Sequence, residues 1–122
     1  MATVRYMVSD VAQSLSFYVD HLGFEAETKM LPAFASARRG DLDLWLAGPQ
    51  SSAARAMPDG QVPQPGGWNR FVVEVDDIGS LVDGLRAAGV VFRNDVISGP
   101  GGKQVLVDDP DGNPVELFEA RR

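Results

Sequence analysis

The run Asp108-Asp109-Pro110-Asp111-Gly112-Asn113-Pro114-Val115-Glu116-Leu117-Phe118-Glu119 sets a carboxylate inside an otherwise apolar segment. Proline and glycine fix a tight reversal, and the alternation after it puts Val115 and Leu117 on one strand face, Glu116 and Phe118 on the other. A carboxylate on a ligand-facing side can hold a metal, take a proton or pair with a cation. Asp111 belongs to the turn and reads as structural. The rest of the inventory narrows the chemistry. There is no cysteine, which excludes disulfides, thiolate metal sites and thiol nucleophiles. The single histidine, His21, falls near the end of a helix where a cation suits the dipole, so no serine–histidine arrangement can be assembled. Trp45 and Trp68 could each present a flat wall to a planar ligand; the alternative packs Trp45 at a subunit interface and uses Trp68 to anchor the end of a connector. Gly99-Pro100-Gly101-Gly102 lacks the strand–loop–helix setting of a phosphate loop and reads as a hairpin tip.

The elements that must position these groups repeat. Residues 2–8 alternate as a strand; Val11, Leu15, Tyr18, Val19 and Leu22 then recur at helical spacing, with Ser9 or Asp10 as N-cap and Gly23 as C-cap. The same order returns with a strand over 70–75, a cap at Asp76-Asp77, a helix face of Ile78, Leu81, Val82 and Leu85, and a stop at Gly89. Three strands follow each helix: 24–30, 34–39 and 42–47 in the first half, 90–94, 103–107 and 115–119 in the second. Residues 48–67, rich in Pro, Gly, Ser and Gln, form a connector long enough to raise a lid or dimer-crossing arm beside the simpler flexible linker.

At 122 residues, 44% hydrophobic and 23% charged, the chain suits one compact domain with modules at 1–47 and 68–122 around the linker 48–67. The net charge of −6 and the lack of a Lys/Arg cluster argue against nucleic acid and against an anionic membrane surface. No basic region followed by an apolar run opens the chain, so cytoplasmic residence is expected.

Val8-Ser9-Asp10, Ser14-Leu15-Ser16-Phe17-Tyr18, Leu22-Gly23-Phe24, Glu74-Val75-Asp76-Asp77, Asp109-Pro110-Asp111-Gly112-Asn113 and Val115-Glu116-Leu117, in this order, resemble the vicinal oxygen chelate superfamily of glyoxalases, bleomycin-resistance proteins and extradiol dioxygenases. The resemblance implies an α+β fold of two βαβββ modules whose mixed sheets curl into a cup, a homodimer, and a small-molecule ligand inside the cup. It does not name a reaction, since sites rather than folds carry function.

Members that use a metal take a histidine from each opening strand and a glutamate from each closing strand. Those positions here are Thr3 and Arg70, and Asp43 and Glu116, so both imidazoles are missing. A fixed guanidinium about 4 Å from a divalent ion would repel it by about 8 kcal/mol at an effective dielectric near 20. A transition-metal site is therefore not expected, and oxygen-only binding of magnesium or calcium by Asp43 and Glu116 stays open. Alternation then directs Thr3, Arg5, Met7, Arg70, Val72 and Glu74 to the cup together with Asp43, Trp45, Glu116 and Phe118. Two functions fit. One is a non-catalytic protein that sequesters an aromatic or antibiotic-like compound. The other is a lyase or isomerase with Glu116 as general base and Arg70 or Arg5 stabilising an oxyanion, which requires Arg70 and Glu116 to separate in the working state. A bare Arg70–Glu116 pair that merely fills the metal position is the third possibility.

Overall fold

The computed structural model describes residues 1–121. The chain forms two compact units, Met1–Gly66 and the segment from Gly67 onward.

In the first unit, β1 (Ala2–Met7) leads through α1 (Val11–Leu22) to β2 (Glu25–Met30), β3 (Phe34–Arg39) and β4 (Leu42–Ala47). The sheet order is β1-β4-β3-β2, parallel between β1 and β4 and antiparallel elsewhere. Asp10 is the N-cap, its side chain accepting from the Gln13 N–H at 3.1 Å, and Gly23 ends α1 at φ 74°. The helix covers one sheet face: Val11, Leu15, Tyr18 and Leu22 pack with Tyr6, Val8, Ala35, Ala37, Leu44 and Leu46. Small, fully buried Ala35 and Ala37 let α1 lie close against β3, as close packing requires. The other face carries the residues of interest.

The second unit repeats the plan with β5 (Phe71–Glu74), α2 (Ile78–Ala87), β6 (Val91–Phe92), β7 (Ile97–Gly99), β8 (Gly102–Asp108) and β9 (Pro114–Ala120). Its order is β5-β9-β8-β6, with β7 also paired to β8 and β5 parallel to β9. Asp77 caps α2, and Ile78, Val82 and Leu85 are buried on the side of Val73, Val105, Val107, Val115 and Leu117.

The strand expected over 90–94 is cut to Val91–Phe92, and a separate strand appears at Ile97–Gly99. The break has a local cause: the Asn94 side-chain oxygen accepts the Leu106 N–H at 2.9 Å, taking the place of a backbone carbonyl. β7 and β8 then form a hairpin whose tip is the Gly99–Gly102 run, as its glycines and proline predict. Gly102 is required there, because a Cβ on it would collide with the backbone oxygen of Glu119.

Candidate functional site

The turn that launches β9 is held by Asp109. Asp109 is 4% exposed; its Oδ1 accepts the N–H groups of Asp111 and Asn113 at 2.9 Å each, and its Oδ2 accepts from Asn113 Nδ2 at 3.0 Å. A backbone bond from Asp109 N–H to the Asn113 carbonyl at 2.9 Å closes the loop. The clamp sets the phase of β9, so that Val115 and Leu117 enter the core while Glu116 and Phe118 take the opposite face.

On that face Val72 lies beside Glu116 and Glu74 beside Phe118 across the parallel β5–β9 pair, with Leu106 and Gln104 opposite them on β8. Arg70 stands just before β5. Its Nη2 and Nε donate to Glu116 Oε1 at 2.8 and 3.2 Å, and its Nη1 donates to the Trp68 carbonyl at 3.3 Å. Both guanidinium bonds end on one oxygen, and among the described residues none donates a hydrogen bond to Glu116 Oε2. The Glu116 side chain is 12% exposed and that of Arg70 31%, so the pair is partly desolvated. Val72 is half exposed, and the Phe118 ring reaches toward the hairpin tip at Gly101.

The first unit presents a second group on the free face of its sheet. Thr3 pairs with Asp43, Arg5 with Trp45 and Met7 with Ala47 along the parallel β1–β4 ladder. Trp45 Nε1 donates to Asp43 Oδ2 at 3.1 Å. The Arg5 guanidinium carbon lies 4.9 Å from the Trp45 ring centre, and Phe34 meets the same ring edge-on at 5.7 Å. Three neighbours therefore fix the indole in one orientation, with a cation over its π-cloud. Phe34 and Ser36, the β3 residues beside Ala47 and Trp45, were not among the residues expected to line a site. The period-2 pattern of Phe34-Ala35-Ser36-Ala37-Arg38 contains them, but only the antiparallel register shows which strand Trp45 adjoins.

Other residues fall outside both groups. His21 packs its ring against Phe17 at 5.5 Å in the last turn of α1. Trp68 is exposed with Arg93 stacked 4.6 Å over its ring, while Arg93 also bonds Asp108 at 2.6 Å, the Gly67 carbonyl at 2.7 Å and the Gly112 carbonyl at 2.8 Å. That geometry is an anchor for the start of the second unit. A cleft of about 410 Å³ near the α2 N-terminus is lined by Asp76, Lys103, Glu119 and Arg121, on the helix side of β9 and away from Glu116. Glu119 there is occupied, accepting the Ile78 N–H at 2.9 Å.

The residues expected from the resemblance at metal-ligand positions carry side chains that do not suit a transition metal. Asp43 is engaged by an indole N–H, Glu116 is engaged by a guanidinium, and Thr3 and Arg70 stand where imidazoles would be needed. Among the described residues no three His, Cys, Asp or Glu side chains converge as a metal-binding group.

The family model of the Glyoxalase/Bleomycin resistance protein/Dioxygenase superfamily matches residues 1–117. The chain belongs to this superfamily. Among solved structures, a superfamily member from Sphaerobacter thermophilus is 28% identical with a TM-score of 0.76, covering 98% of this chain and 95% of that one. A bleomycin-binding protein from Streptomyces verticillus, solved with copper(II)-bleomycin, is 25% identical with a TM-score of 0.64 and coverages of 98% and 95%. A lactoylglutathione lyase from Agrobacterium tumefaciens shares the fold at 24% identity, TM-score 0.75, with coverages of 98% and 92%. No curated protein matches the sequence. The two units follow the superfamily's βαβββ module, the second with an extra short strand, β7, and no helix among the described residues is long and apolar enough to cross a membrane.

Proposed function

We propose that this superfamily member is a non-catalytic binding protein that sequesters a planar aromatic or antibiotic-like small molecule, with Trp45 as the principal contact. The observation that carries the reading is the indole held at a fixed angle by Arg5, Phe34 and Asp43, on the strand face opposite the buried side chains of Leu44 and Leu46. A pre-oriented aromatic costs little entropy to use and offers a wide contact area. Arg5, Met7 and Asp43 are the further ligand-facing residues proposed on the first unit; Val72, Glu74, Glu116 and Phe118 are those proposed on the second, where Arg70 holds Glu116. The likeness to a bleomycin-binding protein supports an antibiotic-like ligand.

The engagement of Glu116 by Arg70 works against proton abstraction, because a base needs its carboxylate oxygens free to reach a substrate C–H or O–H. One observation favours the second reading, a lyase or isomerase with Glu116 as base: none of the described residues donates a hydrogen bond to its Oε2.

Native mass spectrometry of the purified protein identifies what co-purifies, and that compound is then titrated against tryptophan emission in a Trp68→Phe background. Quenching of Trp45 is expected, and Trp45→Ala should weaken binding by roughly 1–3 kcal/mol without unfolding the chain. A ligand that binds the Trp45→Ala variant equally well places the site elsewhere. Glu116→Gln separates the two readings. A binding protein keeps most of its affinity, whereas an enzyme binds and stops turning over.

A further inference from the structure

Residues 49–65 do more than span a gap. The segment starts at Gly48, which is buried and bonded through its N–H to the Ala33 carbonyl at 2.9 Å. A side chain there would meet Val11 Cγ2 at 2.8 Å, so this end is pinned against α1. Ser51 folds back on Gly48 through both its N–H and its hydroxyl, at 3.0 and 2.7 Å, and a single 3-10 turn follows at Ser52–Ala54. A second turn joins Met57 N–H to the Gln61 carbonyl at 2.7 Å. The segment then returns over the C-terminal ends of β1 and β4 and leaves at Gly66, φ 108°.

Between this segment and the strand ends lies a cavity of about 300 Å³, lined by Met7, Val8, Ala54, Val62, Pro63 and Pro65 with Gly48, Pro49, Ser9 and Gln64 at its margin. Three features define what it could accept. No ionisable side chain lines it, although the chain carries 11 basic and 17 acidic residues. A bare charge would find no partner there. Pro63 and Pro65 contribute wall without backbone N–H groups that would need a partner. The volume sits at the lower end of the range for small-molecule sites, which suits a body of about two fused rings.

We propose that this cavity is a second binding site, specific for a small uncharged apolar molecule, with Met7 and Val62 as its walls and Ser9 and Gln64 supplying its polar edge. It is distinct from the Trp45 group, since Arg5, Asp43 and Trp45 do not line it. Met7 is thereby assigned to this cavity as well as to the sheet face that ends beside it. The proposal does not depend on the Trp45 reading and can succeed or fail without it.

The test is an amide-resolved NMR titration of the full chain with 1-naphthol, uncharged at neutral pH, and in parallel with 1-naphthoate, its anionic counterpart. Saturable shifts at the Val8, Gly48, Ala54 and Val62 amides are expected with naphthol, and at least tenfold weaker binding with naphthoate. Ala54→Phe, which fills the cavity, and Val62→Asp, which puts a charge in its wall, should each reduce naphthol affinity at least tenfold, while Trp45→Ala should change it less than twofold. If Ala54→Phe loses amide dispersion and so fails to fold, Val62→Asp at a half-exposed position carries the comparison. No saturable shift up to the solubility limit, equal binding of naphthoate, or a response abolished by Trp45→Ala instead would overturn the proposal.

Discussion

At the scale of single residues, the carboxylates divide by what holds them. Asp109 works entirely within the fold, taking three N–H groups in a nearly water-free turn. Asp109→Ala would strand those donors, and the cost of leaving buried groups unsatisfied is large compared with an ordinary hydrogen bond. A loss of roughly 2–4 kcal/mol in urea unfolding is expected, and Asp111→Ala should cost less because Asp111 is less deeply buried than Asp109. Equal losses at the two positions would show that Asp109 does not set the turn. Glu116 and Asp43 are held less completely, each by a side chain that a ligand could displace: a guanidinium for Glu116, an indole N–H for Asp43. That difference is why Asp43 beside Trp45 on the first unit and Glu116 on the second are proposed to face ligand, whereas the more deeply buried Asp109 is not.

At the scale of elements, each helix and hairpin carries a device that can be tested by itself. Asp77 at the head of α2 accepts the Ser80 N–H at 3.1 Å and the Ser80 hydroxyl at 2.9 Å. These bonds favour its charged form and lower its pKa from the ordinary value of 3.8, the Ser80 backbone bond contributing most. A carboxylate depressed on folding contributes stability that is present above its unfolded value and disappears as pH falls through the lower folded one. Asn can still cap a helix but does not titrate, so the advantage of wild type over Asp77→Asn should shrink as pH falls below about 4. Urea midpoints measured across that range check it, and a gap that persists into acid would remove the charge from the account. In the β7–β8 hairpin, Gly102 has φ 150° and no room for a Cβ beside the Glu119 backbone. Gly102→Ala should destabilise by about 2–3 kcal/mol, whereas Gly99→Ala, with open space around it, should stay within about 1 kcal/mol.

At the scale of the whole molecule, large apolar side chains are exposed on both units, among them Met1, Met30 and Val62 on the first and Trp68, Val72, Val91 and Ile97 on the second. Exposed apolar surface is what partner surfaces cover. A homodimer is therefore expected, and light scattering at micromolar concentration checks it; a monomer mass would defeat the expectation. The duplicated strand–helix–three-strand order was legible in the sequence because each module repeats the same punctuation. Asp10 with Gly23 and Asp77 with Gly89 bracket the two helices, and period-2 runs follow each one. The superfamily was legible for the same reason. Its words are mostly caps and turns, which depend on local backbone needs and survive in the sequence as residue types.

That Thr3 and Arg70, the positions where the resemblance leads one to expect metal-binding imidazoles, are not histidines is likewise read from the sequence alone. Which groups meet was decided by tertiary structure. Alternation places Arg5 and Trp45 on strand faces, but the stack over Trp45 exists because β1 runs parallel beside β4 in a register that joins residues 40 positions apart, with Phe34 entering from β3. The division of 90–99 into two strands was equally hidden, because it turns on one Asn94 oxygen replacing a carbonyl opposite Leu106. The cavity under residues 49–65 was hidden most completely. A Pro- and Gly-rich stretch has no periodicity to read, so where it lies is set by Gly48 against Val11 and by strand ends far from it in the chain. Local propensity writes caps, turns and strand phase into the sequence, whereas contacts between distant segments depend on register and packing that no single segment contains.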